Sequence, residues 1–194
     1  MRTSRNGFVL ALLLLPAGVL RVAAQAPAAA LVAGAVAAAP DSLRAGATVL
    51  ASEEGKTRVV RKGSNGLVCL ADEPGNDRFQ TACYQESLEP FMARGRELRA
   101  LKKTHAEIDS IRLADIKAKR YTIPRTPTAL YNLAGPADSL DADGVPLHQT
   151  RWYVVYMPNA TPETTGLSLV PDGTGRPWLM YPGKPWAHIM ITPK

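Results

Sequence analysis

The chain is poor in the residues that build reactive or metal-binding sites. It has two cysteines and three histidines among 194 residues. They form no Cys-x-x-Cys, His-x-x-x-His or His-Glu-x-x-His motif, and no Gly-x-Ser-x-Gly motif occurs. The local signatures of dithiol redox enzymes, zinc sites and serine hydrolases are therefore missing. The sequence predicts no metal site and indicates no cofactor.

A strong excess of basic residues is also missing once the N-terminus is considered. The formal net charge is +6, but Arg2, Arg5 and Arg21 contribute three of these charges. They lie in a segment interpreted below as a removable leader, which leaves +3 on the rest of the chain. The other basic residues are interspersed with acidic ones and do not alternate with aromatic ones. We therefore expect no nucleic-acid partner.

The sequence lacks a hydrophobic run long enough to cross a membrane. Residues 8–20 are apolar, but about 13 residues fall short of the roughly 20 that a spanning helix needs. The run follows basic residues and precedes the small residues Val22-Ala23-Ala24, as in a secretory signal peptide. Residues 1–24 are therefore predicted to be a signal peptide, although Arg21 leaves an uncleaved anchor as the alternative. The protein would be secreted or periplasmic, and would meet the membrane only transiently through this peptide.

Large and polar side chains are scarce in residues 25–46, which are dominated by alanine. Alanine favours a helix locally, but a short segment without an amphipathic stripe has little tertiary packing to hold it. We predict an Ala-rich linker here, with a frayed helix as the alternative.

Residues 47–194 have the patterns expected of strands near both ends. The dipeptide Asn65-Gly66 lies between two apolar segments, which predicts a hairpin because both turn residues must take positive φ. With the strand before it, this gives three antiparallel strands. The predicted strands are residues 48–51, 57–61, 67–70, 129–133, 152–157, 178–181 and 186–191.

Helical patterns are confined to the middle of the chain. Apolar residues recur at helical spacing after Ser87, and Thr104-His105-Ala106-Glu107 is a capping box that divides the region into two helices. Because the helices are clustered and do not alternate with strands, a doubly wound parallel sheet is disfavoured. We predict a single α+β domain over residues 47–194, with a mostly antiparallel sheet of five to seven strands and one or two helices.

Cys69 and Cys83 are predicted to form one structural disulfide. They are the only cysteines, and the predicted leader directs them to a compartment in which disulfides persist. A bridge closing a loop of this length stabilises a domain by roughly 3 kcal/mol. A redox pair is the alternative, but the spacing is not that of Cys-x-x-Cys.

Several segments together resemble a known group of proteins. They are Arg61-Lys62-Gly63-Ser64-Asn65-Gly66-Leu67-Val68-Cys69, Ala82-Cys83-Tyr84, Pro177-Trp178-Leu179-Met180 and Ala187-His188-Ile189-Met190-Ile191. In these segments the chain is similar to a family of uncharacterised secreted bacterial proteins with no established activity. The resemblance covers most of the chain after the leader and transfers no functional residues.

The C-terminal strand supplies the candidate ligand-binding residues. Strand alternation places Trp186 and His188 on one face and the aliphatic residues on the other. Together with Trp178, these residues could form an aromatic ligand surface with one titratable group. The alternative is that the aromatic side chains form a second layer of core.

Taken together, the sequence predicts a noncatalytic exported binding or interaction domain, because its recognisable features are structural. Its partner would be a small molecule, a glycan or another protein. The alternative is a small extracytoplasmic hydrolase whose site lies near His188, with a carboxylate such as Asp172.

Overall fold

A computed structural model describes residues 22–53, 56–73 and 75–194 of the protein. Within these residues the chain forms eight strands, three longer helices, two four-residue helices and a 3-10 turn at Glu86–Leu88. The helices are α1 Val22–Val36, α2 Asp41–Arg44, α3 Glu89–Ala100, α4 His105–Lys117 and α5 Pro162–Thr165. The strands are β1 Thr48–Glu53, β2 Lys56–Arg61, β3 Leu67–Leu70, β4 Arg78–Gln85, β5 Thr128–Pro136, β6 Thr150–Tyr156, β7 Trp178–Met180 and β8 His188–Ile191.

All the strands of the described residues belong to one mixed sheet. Their order is β2-β1-β3-β4-β5-β6-β8-β7, and each neighbouring pair is antiparallel except β1 and β3. The predicted α+β class with a mostly antiparallel sheet is therefore confirmed. The predicted counts of five to seven strands and one or two helices were too low, because β4 was not recognised and a helix in residues 25–46 was only the alternative.

The predicted hairpin at Asn65-Gly66 is wrong. β3 pairs with β1 in parallel and not with β2, so residues 62–66 cross the start of β1. Gly66 does take a positive φ of 71°, but the Asn65 side chain bonds the carbonyl of Leu43 at 2.8 Å. Asn65 and Gly66 therefore lie in a crossover connection. The Asn-Gly signal reports only the local turn conformation, so it does not distinguish a hairpin from a crossover.

The predicted disulfide is confirmed and joins β3 to β4. Cys69 and Cys83 lie directly opposite each other in the antiparallel pair, with their Cα atoms 4.0 Å apart. Both residues are completely buried. They face the side of the sheet on which the end of α1 packs.

Part of the segment predicted to be an Ala-rich linker, residues 25–46, instead packs on the sheet. Ala35 to Ala39 are buried together with Val49, Cys69 and Leu133. The Thr81 hydroxyl lies 2.7 Å from the Ala35 carbonyl oxygen, and Arg151 donates to the carbonyl of Ala37 at 3.1 Å. Small side chains let the backbone approach the sheet closely, which an amphipathic-stripe criterion does not detect.

Most of the predicted leader lies outside the described residues. Its last three residues, Val22 to Ala24, begin α1. Cleavage and export stay predictions. In the described part of the chain, none of the helices is long and apolar enough to cross a membrane.

The two helices α3 and α4 cover the opposite face of the sheet. Thr104 caps α4 in the predicted capping box, with its side chain accepting from the Glu107 backbone N–H. The two helices are joined by Asp115, which is 3% exposed in its side chain and pairs with Arg94 at 2.8 Å and Arg120 at 2.7 Å. Their shared core is built from large residues of both layers, including Tyr84, Leu88, Phe91, Leu130, Val154, Tyr156 and Trp186.

Candidate functional site

The predicted candidate Trp186 lies in the core beneath α3. Its side chain stacks on Phe91, with ring centroids 6.0 Å apart and an interplanar angle of 29°. Only 3% of the residue is exposed. Its indole Nε1 is buried and has no hydrogen-bond partner among the described residues. Trp186 therefore packs as a core residue, against Phe91 and also against Tyr181.

His188 is packed beside Trp186 and is buried as well. Its Nδ1 lies 2.9 Å from the Trp186 carbonyl oxygen, and because a carbonyl only accepts, Nδ1 carries the hydrogen. The ring contacts Tyr156 and Tyr181, with centroids 5.1 and 5.7 Å away. Burial lowers the pKa of His188, and the hydrogen bond to the carbonyl opposes this only in part. The imidazole is therefore held neutral at pH 7.

Trp178 lies in different surroundings from the other two candidates. It is half-buried on the edge strand β7, opposite Met190 of β8. It borders a cavity of about 230 Å³ formed with the loop at residues 171–176 and the C-terminus. The structure thus brings Trp186 and His188 together and places Trp178 in a separate pocket.

Asp172, the carboxylate named in the hydrolase alternative, is held in that exposed loop. It accepts hydrogen bonds from the backbone and hydroxyl of Thr174 and pairs with Arg176 at 3.3 Å. The bonds to Thr174 lower its pKa. Asp172 contacts Thr174 and Arg176 of its own loop, whereas the His188 ring contacts Tyr156 and Tyr181. The hydrolase alternative stays a prediction.

A second candidate site lies between the sheet and α3, away from Trp178, Trp186 and His188. Two adjoining cavities of about 720 and 610 Å³ meet there, and we call them together the sheet–helix groove. The residues that line both are Leu50, Ser52, Thr57, Glu73, Arg96 and Arg99.

Strand alternation and register build the floor of the groove. Tyr84 of β4 lies opposite Leu130 of β5, and Ala82 lies opposite Asn132, so these four side chains share one face. Helix α3 lies over this face and supplies Arg96 and Arg99 from the wall. The groove is therefore assembled from segments spread along the chain between Leu50 and Tyr156.

A buried network fixes one side of the groove. The Tyr84 hydroxyl donates to Glu89 Oε2 at 2.5 Å and accepts from Arg96 at 2.9 Å. Arg96 also pairs with Glu89 Oε1 at 2.5 Å, and its side chain is only 14% exposed. Burial raises the pKa of Tyr84, so it stays protonated and able to donate. Arg96 is therefore held against the sheet by its two partners.

Arg99 reaches the same groove without a partner. Among the described residues, no hydrogen bond or salt bridge joins its guanidinium to another side chain. Partial burial lowers its pKa, and the positive charge of Arg96 lowers it further, while Glu73 acts in the opposite direction. The group remains charged at neutral pH because an arginine starts from a pKa above 12.

Asn132 is the most informative residue of the floor. It is 7% exposed and lines the 610 Å³ cavity. Within the described ranges, its side-chain amide makes no hydrogen bond. Tyr156 is 8% exposed and also lies in the cavity wall, and its hydroxyl makes no hydrogen bond within the described residues. Burial raises the pKa of Tyr156 to about 12, so it too can donate.

Sequence reasoning did not select the groove residues, although one signal was present. In the segment Thr128–Pro136, Asn132 falls at the same alternation as Leu130, which is a core position. A polar residue at a core position of a strand is informative because its burial is costly. Arg96 and Tyr84 gave no comparable signal.

Comparisons with protein-family models, with curated proteins and with solved structures gave no match to this chain. In the part of the chain that the structure describes, no group of three or more His, Cys, Asp or Glu side chains could hold a metal ion. The chemistry of the site therefore has to be argued from its own residues.

Proposed function

We propose that this protein is a noncatalytic binding domain that takes a small polar ligand into the sheet–helix groove. The observation that carries the proposal is Asn132, which is 7% exposed, lines the groove and makes no side-chain hydrogen bond within the described residues. Its amide is still open to the cavity, since the fully buried polar atoms without a partner in the described residues belong to Arg96, Arg112, Tyr121 and Trp186. A ligand in the groove can therefore hydrogen-bond to this amide in place of solvent.

The dimensions of the groove agree with this proposal. Small-molecule pockets usually measure about 300–1,000 Å³ and combine apolar walls with a few placed polar groups. The two cavities, about 720 and 610 Å³, have Leu50 and Leu130 in their walls beside Arg99 and Asn132. The network of Tyr84, Glu89 and Arg96 makes part of the wall rigid before any ligand arrives.

We also propose that the domain acts outside the cytoplasm. The support is the predicted leader at residues 1–24 together with the Cys69–Cys83 disulfide. Structural disulfides persist mainly in oxidising compartments.

The test is a ligand screen on variants of the groove. A thermal-shift screen with neutral sugars, sugar acids, amino acids and short peptides is run on the wild type. Asn132→Leu should keep or raise the melting temperature without ligand, because an unpaired amide is replaced by an apolar group of similar size. The same variant should lose the shift given by any probe that stabilises the wild type.

A matched pair of substitutions controls for damage to the fold. Ser52→Trp places a large side chain in the groove and should abolish the shift, whereas Ser110→Trp on the exposed side of α4 should keep it. A lower melting temperature for Asn132→Leu without ligand would show that the amide serves the fold. An undiminished ligand shift in both groove variants would place the ligand elsewhere.

A further inference from the structure

The charges of the two arginines in the groove are balanced differently. Arg96 is neutralised by Glu89 and also bonded to Tyr84. Arg99, one helical turn later, has no salt bridge within the described residues. Each of them is attracted to acidic groups nearby, but only Arg96 has a carboxylate in contact.

This arrangement is not required by helix α3. Like charges three residues apart on a helix disfavour it by a few tenths of a kcal/mol. A cation in the last turn interacts favourably with the helix dipole, and Arg99 has that gain as an exposed residue. Arg99 also borders both cavities, and desolvation together with the charge of Arg96 lowers its pKa. Its guanidinium is therefore available to a negative group in the groove, since no carboxylate of the described residues is in contact with it.

The acidic residues of the groove limit what that group can belong to. Five basic side chains line the two cavities, but so do four carboxylates. The basic residues are Lys56, Arg58, Arg78, Arg96 and Arg99, and the acidic ones are Asp72, Glu73, Glu89 and Glu97. A polyanion would meet repulsion from the carboxylates. A ligand with one negative group and several hydroxyls fits, because carboxylates and amides accept or donate to hydroxyls.

We infer that the sheet–helix groove binds a hydroxyl-rich monoanion, of the chemical class of a sugar acid, whose negative group is held by Arg99 and whose hydroxyls bond Asn132 and Tyr156. This inference rests on the proposed function and adds the charge and class of the ligand. A guanidinium presents two parallel donors to a carboxylate, which gives direction as well as attraction. The paired Arg96 keeps its partners and stabilises the adjacent wall.

The test compares a sugar acid with the corresponding neutral sugar and with a simple anion. Binding of glucuronate, glucose and inorganic phosphate is measured by calorimetry with the full chain at low ionic strength. Glucuronate should bind about tenfold or more tightly than glucose, as expected for one charge-assisted contact. Arg99→Gln should remove this difference, and Arg99→Lys should keep part of it, since lysine retains the charge but not the paired donors.

Arg125→Gln is the matched control, because Arg125 is exposed and lies outside the groove. It should bind glucuronate as the wild type does. If phosphate binds the wild type as tightly as glucuronate and does not bind Arg99→Gln, Arg99 is an anion contact but the ligand is not of the sugar-acid class. Equal binding of glucose and glucuronate, lost in Ser52→Trp, would overturn the inference while the proposed function stands. Binding of no probe at all overturns the sugar-acid class.

Discussion

Arg112 of α4 packs against Phe91 and Gly95 of α3 and shows how single residues allow these two helices to pack closely. Its guanidinium lies 3.8 Å from the centre of the Phe91 ring, and it donates to the Phe91 carbonyl at 2.8 Å. Gly95 leaves the space for it, because a Cβ at that position would overlap the guanidinium. Burial lowers the pKa of Arg112, and stacking on an aromatic ring partly offsets the loss of hydration. The positive charge of Arg112 is thus stabilised by the Phe91 ring and by the Phe91 backbone carbonyl.

His188 should make the stability of the protein sensitive to mild acid. Burial lowers its pKa in the folded state below the value of 6.5 found in the unfolded chain. Below pH 6.5 the unfolded chain takes up a proton that the folded chain refuses, so the free energy of unfolding falls as the pH decreases. His188→Phe keeps a ring beside Tyr156 and Tyr181 and should show a smaller fall between pH 7.5 and 5.5.

The measurement is urea unfolding at both pH values. His148→Phe is the control, because His148 is exposed and makes no contact with the aromatic cluster. The free energy of unfolding of His148→Phe should fall with decreasing pH as much as that of the wild type. If His188→Phe loses as much stability as the wild type over this range, another group governs the acid response.

At the scale of elements, the crossover between β2 and β3 depends on one glycine. Residues 62–66 pass over the start of β1, and the Gly63 backbone N–H donates to the Thr48 hydroxyl at 2.9 Å. A Cβ on Gly63 would overlap the carbonyl oxygen of Gly46 and the amide nitrogen of Thr48. Since these are backbone atoms, no side-chain rotation can relieve the overlap.

Gly63→Ala is therefore expected to destabilise the protein by about 2 kcal/mol or more, because β1 or the crossover must move. Thermal or urea unfolding measures the change. Gly183→Ala separates this overlap from backbone strain, since Gly183 has a φ of 70° and open space around it. It should cost only about 1 kcal/mol. A loss for Gly63→Ala no larger than that of Gly183→Ala would contradict the close approach.

Some elements follow from local chemistry, and the sequence predicted those. The capping box of Thr104 fixes the start of α4, and the apolar segment Leu67–Leu70 is a strand. β4 was not predicted, although exposed and buried residues alternate over Arg78–Gln85 as in a half-buried strand. The parallel pairing of β1 with β3 depends on contacts between strands that are distant in the chain, which periodicity does not encode.

At the scale of the whole molecule, the sheet separates two cores of different composition. On the α1 side the buried residues are mostly small, with alanine prominent, and include the disulfide. On the α3 and α4 side they are large and aromatic. Large side chains keep helix α3 farther from the sheet, and the sheet–helix groove lies on this side. The candidate site could not be predicted from sequence because it depends on this spacing and on Tyr84, Arg96 and Asn132 coming together.

Deletion of residues 1–40 should abolish cooperative folding. The deletion removes Ala35 to Ala39, which are buried, and exposes Val49, Cys69 and Leu133 on one face of the sheet. An uncovered apolar face of this kind favours aggregation. Circular dichroism during heating should show no sharp transition, and gel filtration should show aggregates.

Deletion of residues 1–24 is the matched control, because it leaves every one of these buried alanines in place. It should unfold cooperatively at the melting temperature of the full chain. The interpretation of residues 25–46 as a linker makes the opposite prediction for the longer deletion, since loss of a linker leaves a domain's core intact. A chain starting at Asp41 that melts sharply and stays monomeric would mean that the contacts of α1 with the sheet contribute little to stability. A large loss confined to the longer deletion would extend the folded unit to residue 35 or earlier.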